Sequence, residues 1–183
     1  DMAVHHEARG ASTITQQLVK NMFRTRTEYS TGLTGFIPGV RLLVMKTKEW
    51  VTAVKLEMFY TKKEILTMYL NTVDFGSNAF GIRTAAKTYF NTTPMQLKTE
   101  ESAVLVGMLK ATTTYNPRLN PKNSKSRRNV VVSNLLRKKF LTHEEYDSLS
   151  ELPIELKYTP LKPTDGKEPY FRDVLPEELQ HGR

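Results

Sequence analysis

Gly10-Ala11-Ser12-Thr13-Ile14-Thr15-Gln16-Gln17-Leu18-Val19-Lys20-Asn21 is the stretch whose reading decides how the rest of this chain is understood. Gly10 interrupts whatever precedes it, and Thr13 followed three residues later by Gln16 is a capping-box pattern that starts a helix, predicted over 12–23. At helical spacing Thr13, Gln17 and Lys20 share one face, and Ile14, Leu18 and Met22 form the neighbouring apolar stripe. Hydroxyl, amide and ammonium groups thus stand on the opening turns, where the helix dipole favours anions. That is equipment for a phosphorylated, sugar-like ligand. An ordinary capped amphipathic helix has the same periodicity, so the ligand reading depends on what surrounds it.

Outward from this helix the pattern is helical throughout. Residues 24–45 break it, with Gly32, Gly35, Pro38 and Gly39 among Leu33, Phe36, Ile37, Val40, Leu42, Leu43 and Val44, as in a buried irregular connection or an exposed apolar flap. Helices are predicted at 46–59 and 62–71, the second opened by Thr61 and Glu64. A Gly-containing loop at 72–79 precedes a helix over 80–90 closed by Asn91. The helix over 100–110, capped by Thr99, carries Ala103 to Val106, Met108 and Leu109 with almost no polar face and is expected at the centre of the domain. A basic helix over 122–139 follows, and Thr142 with Glu145 opens a last short one. From Pro153 onward prolines recur too often for packed helix, and 156–183 reads as a linker. The fold class expected is all-α.

The 183 residues suit one domain with a real core, and the net charge of +8 points to an anionic partner. With no cysteine, neither a disulfide framework nor a thiolate metal site is available. No apolar run reaches the roughly 20 residues of a spanning helix, and no signal peptide opens the chain, so an anchor or export signal is expected outside it.

The 10–21 block resembles the second signature motif of the peptidoglycan glycosyltransferases, glycosyltransferase family 51, found in class A penicillin-binding proteins and monofunctional transglycosylases. Residues 46–71, from Lys46-Thr47-Lys48-Glu49 to Tyr69-Leu70-Asn71, are similar to the third motif in content, order and spacing. Gly76 to Gly81, Ala85-Ala86 with Tyr89-Phe90, Gly107 to Lys110, Tyr115-Asn116-Pro117 and Arg127-Arg128-Asn129 follow in the family's order, so the likeness covers about 9–155. It implies a lysozyme-like helical domain over 1–155 that polymerises lipid II into β-1,4-linked glycan, releasing undecaprenyl pyrophosphate at the extracytoplasmic, periplasmic face of the inner membrane. It also implies that residues 33–44 meet the membrane surface and that a transpeptidase domain follows the linker.

That chemistry needs a base for the attacking hydroxyl and positive charge for the departing pyrophosphate. Glu49 shares a helical stripe with Ala53, Leu56 and Tyr60, at the edge of an apolar face with Lys46 one turn away. As residues alone, Lys46 and Glu49 are also an ordinary surface ion pair. The resemblance makes Glu49 the catalytic glutamate of the third motif, assisting the leaving group directly or through a divalent cation such as Mg or Mn. No tightly bound cofactor and no protein metal site is expected. Carried over in the same way, Thr13, Gln17, Lys20 and Asn21 would hold donor sugar and pyrophosphate, and Lys46 would neutralise phosphate. Lys110 matches the fourth motif's lysine, and Arg127, Arg128 and Asn129 match the fifth motif; helix packing and surface charge explain these four equally well.

Met45 stands where the family often has arginine, which leaves Lys48 or Arg41 to supply that charge. The family's acidic-aromatic-histidine first motif is absent, and Glu7 lies too close to Thr13 to replace its base. The 183 residues alone are therefore expected to be inactive. Two other function classes make different demands on the sequence. A nucleic-acid-binding module would need interleaved cations and aromatics on one surface, whereas here the cations are dispersed, so nucleic acid is not the expected partner. A glycan-cleaving hydrolase would need a carboxylate pair and has no use for phosphate-directed lysines.

Overall fold

The computed structural model describes residues 13–23 and 38–160, with side chains described from residue 44 in the second stretch. Among these residues the chain is helical, as expected, and it divides into two compact units, 1–73 and 74–183.

The first unit contains α1 (Ile14–Phe23), α2 (Pro38–Phe59) and α3 (Lys62–Thr72), with α1 packed against both of the others. The predicted capping box of α1 is present: Gln16 N–H donates to Thr13 Oγ1 and Thr13 N–H to Gln16 Oε1, each at 3.2 Å. Its buried side differs from the expected stripe. Thr15, Leu18 and Val19 point inward, whereas Ile14 and Met22 are exposed. Thr15 tolerates burial because its hydroxyl donates to Glu57 Oε1 at 2.6 Å, which removes the cost of an unpaired polar group.

α2 begins at Pro38, eight residues before the expected start at 46. Proline lacks only an N–H that the first helical position would leave unpaired, and its fixed φ suits that position, so it starts the helix instead of breaking it. Residues 33–37, part of the expected membrane-contacting flap, lie outside the described residues, as do residues 161–183 of the expected linker. α3 opens with the predicted box, Thr61 N–H donating to Glu64 Oε2 at 2.7 Å and Glu64 N–H to Thr61 Oγ1 at 3.3 Å.

The second unit holds α4 (Ile82–Phe90), a single 3₁₀ turn (Pro94–Gln96), α5 (Thr99–Met108), α6 (Pro121–Arg137) and α7 (His143–Glu151). α6 packs against both α5 and α7. Ala103, Val104, Leu105, Gly107 and Met108 make α5 the expected core element, although Val106 is exposed. The residue before α5 is Lys98, one earlier than the predicted cap Thr99: Glu101 accepts the Lys98 N–H at 2.9 Å, and a glutamate three residues after 98 fixes the start there. Asn91 closes α4 in the left-handed region at φ 50°, and Thr142 with Glu145 forms the box that opens α7. Lys157 and Thr159 donate their N–H groups to the carbonyls of Tyr89 and Thr88, so the chain after α7 is tied along the end of α4.

Candidate active site

In the first unit the chemistry gathers on one carboxylate. Glu49 is 3% exposed, while its neighbours Lys48 and Trp50 are open to solvent. The difference is helical phase: Glu49 and Ala53, both buried, lie one turn apart on the same side of α2. A carboxylate taken out of water needs positive partners. Lys46 donates from Nζ to Glu49 Oε2 at 3.0 Å from one turn earlier, and Lys20 of α1 brings its ammonium to 4.0 Å of the same oxygen. The lysine side chains keep 51% and 24% of their exposure, so the ammonium groups stand at the rim with the carboxylate beneath them.

Gln17 is fixed from a third element. The Tyr69 hydroxyl of α3 donates to Gln17 Oε1 at 3.0 Å. Burial pushes the Tyr69 phenol above its usual range, which keeps it protonated as the donor. Thr13 and Asn21 are exposed at the two ends of α1, and the Thr13 hydroxyl accepts the helix-capping N–H. Residues from three helices thus bring Gln17, Lys20, Lys46 and Glu49 into one unit. Tyr69, which orients Gln17, and the Thr15–Glu57 link that seats α1 were not among the predicted site residues. Tyr69 sits in the 46–71 block, but only folding shows that it meets Gln17.

The second unit separates the other four predicted residues into two pairs. Lys110 Nζ and Arg127 Cζ each lie 5.8 Å from the centroid of the Tyr115 ring. The stem of Arg127 runs close against α5, where a Cβ added at Gly107 would come within 3.2 Å of its Cγ. Arg128, by contrast, is fully buried. Its Nε and Nη2 donate to Asn129 Oδ1 at 3.0 and 2.9 Å, and Arg128 Nη2 and Asn129 Nδ2 both donate to the Ser150 carbonyl, at 3.0 and 3.1 Å. Burial lowers the Arg128 pKa, and the nearby Glu100 charge opposes that shift. Arg128 and Asn129 therefore bind the end of α7 to α6.

Glu49 of α2 thus lies buried beneath two lysines, Lys46 of α2 and Lys20 of α1, the helix that opens Thr13-Ile14-Thr15-Gln16-Gln17. Residues 1–136 match the Transglycosylase family, and the chain belongs to it. It is 36% identical over 172 residues to penicillin-binding protein 1A of Haemophilus influenzae, which covers 94% of this chain and 18% of that protein. With penicillin-binding protein 1A of Escherichia coli it shares 37% over 153 residues, 84% of this chain and 16% of that one. The crystal structure of the Haemophilus influenzae penicillin-binding protein 1A superimposes with a TM-score of 0.51 at 41% identity, over 54% of this chain and 15% of the other. The chain spans less than a fifth of the length of these relatives.

Proposed function

We propose that this chain is glycosyltransferase machinery for peptidoglycan synthesis, acting on lipid II and the growing glycan strand. In that reaction the 4-hydroxyl of one sugar attacks the anomeric carbon of another. The new C–O bond forms as the bond to undecaprenyl pyrophosphate breaks, with inversion from α to β, and the hydroxyl's proton passes to a general base, the role the first-motif glutamate has in the family. Lys20 and Lys46 bind the diphosphate and offset the charge it gains on leaving. Glu49 holds both ammonium groups at the rim before substrate arrives, so the positive charge is already in place. Gln17, oriented by Tyr69, offers amide hydrogen bonds beside them. Lys110 and Arg127 extend positive charge for the anionic substrate within the second unit.

The observation that carries this reading is the pair of ammonium groups on Glu49 Oε2. A second carboxylate, not two lysines, is what a glycan hydrolase would want near its acid. Among the described residues no three His, Asp or Glu side chains gather as metal ligands, and Glu49 Oε2 already accepts from Lys46. That donor set does not fit a protein-held divalent cation. In the full-length protein a transpeptidase domain and a membrane-facing segment at 33–44 would place the site at the periplasmic surface. Among the described residues no helix is long and apolar enough to cross a membrane.

Calorimetry in detergent with a lipid II analogue or moenomycin tests the reading. The parent is expected to bind and Lys20→Ala to bind at least tenfold more weakly, a loss of ~1.4 kcal/mol or more. Equal affinity of parent and Lys20→Ala would remove the diphosphate assignment.

A further inference from the structure

A cavity of about 500 Å³ lies among the first residues of α1, the end of α2 and the start of α3, all within the first unit. None of Gln17, Lys20, Lys46 or Glu49 lines it, so the function above leaves it without a role. Of its lining residues Ile65 and Thr15 are buried, whereas Ile14, Tyr60 and Leu66 keep nearly half their surface open. Three half-open apolar side chains around one hollow are unusual for a surface that faces only water. The volume falls within the range of small-molecule pockets, about 300–1,000 Å³, which are mostly apolar with a few fixed polar groups.

Two lining residues supply those groups with opposite charge, Glu57 from α2 and Lys62 from α3. Glu57 is set in place because its Oε1 accepts the Thr15 hydroxyl at 2.6 Å, and Oε2 keeps its acceptor capacity. Lys62 is the first residue of α3, a helix start fixed by the Thr61 and Glu64 capping box. Among the described residues neither Glu57 nor Lys62 forms an ion pair, with the other or with any third group. An acid and a base held apart at one apolar hollow complement a molecule that carries both charges on an apolar body.

We propose that this cavity binds an apolar α-amino acid as its zwitterion. The α-ammonium donates to Glu57 Oε2, the α-carboxylate accepts from Lys62 Nζ, and the side chain enters among Ile14, Ile65 and Leu66. The site is separate from the diphosphate site and stands or falls without it.

Titration of the 183-residue chain with L-phenylalanine, followed by amide chemical shifts, tests the proposal. Shifts are expected to centre on residues 14–15 and 57–66. An exposed ion pair contributes up to about fivefold in affinity, so phenethylamine, which lacks the carboxylate, and 3-phenylpropionate, which lacks the ammonium, should each bind about fivefold more weakly. Glycine, with no apolar body, should bind at least about tenfold more weakly. Glu57→Gln keeps an acceptor for the Thr15 hydroxyl and should bind L-phenylalanine no better than 3-phenylpropionate. Lys62→Gln should likewise bind L-phenylalanine no better than phenethylamine. Both side chains are exposed, so an unchanged thermal midpoint in each variant separates lost contact from lost fold. Absence of shifts at these residues overturns the site. So does either analogue binding as tightly as L-phenylalanine, or a folded variant that discriminates as the parent does.

Discussion

Glu49→Gln replaces a buried carboxylate with an amide of nearly the same shape and leaves Lys46 and Lys20, at 3.0 and 4.0 Å, without their shared negative partner. For a pyrophosphate approaching those ammonium groups, the change removes a repelling charge. Unit charges about 4 Å apart interact by ~1 kcal/mol in bulk water and about 4 kcal/mol at an effective dielectric near 20. The Lys46 side chain is half exposed, which places the site toward the watery end of that range. Pyrophosphate affinity is therefore expected to rise by ~1–2 kcal/mol, about 5- to 30-fold. Isothermal calorimetry with inorganic pyrophosphate at low and high ionic strength measures it, and the gain should shrink as salt screens the exposed ammonium groups. Unchanged or weaker affinity in a folded Glu49→Gln chain would refute the view that Glu49 restrains two phosphate-directed lysines.

Tyr69→Phe removes the hydroxyl that holds Gln17 and is expected to cost about 1 kcal/mol in denaturant unfolding, and to weaken binding of the lipid II analogue without loss of the helical spectrum. Gly76→Ala forces a side chain onto φ +74° with its Cβ 3.0 Å from the Thr112 carbonyl oxygen, so it should destabilise by about 2 kcal/mol or more by the same assay. Leu18→Ala, at a fully buried position on α1, is expected to cost roughly 2–5 kcal/mol. Burial raises the Tyr89 pKa in the folded chain, so its contribution to stability is complete below the ordinary tyrosine value of about 10. That contribution should fall as pH climbs through the raised folded value. Tyr89→Phe should flatten this alkaline decline in a thermal midpoint series, and a parent-like slope would contradict it.

Features coded within four residues were legible in the sequence. The boxes at Thr13/Gln16, Thr61/Glu64 and Thr142/Glu145 and the left-handed stop at Asn91 all involve neighbours along the chain, and each appears as read. The start of α2 was not, because Pro38 and Gly39 carry opposite meanings at the first turn and inside a helix, and local sequence does not say which applies. Nor was the inward side of α1, since Thr15 is drawn in by a carboxylate 42 residues away. For the site, Lys46 and Glu49 were legible as a one-turn pair, but the approach of Lys20 joins residues on separate helices. Arg127 and Arg128 are adjacent in sequence, and one residue of helical rotation sends the first toward Tyr115 and the second into the core.

α1 is held by polar links at three successive places: Thr15 to Glu57, Gln17 to Tyr69 and Lys20 to Glu49. A slip of one residue along its axis would turn it by about 100° and break all of them together. The helix therefore behaves like a key with three cuts, which turns fully or not at all. Substitutions that merely loosen its seat should divide the molecules of a sample into competent and incompetent populations, each competent one working at the parent's rate, instead of slowing every molecule alike.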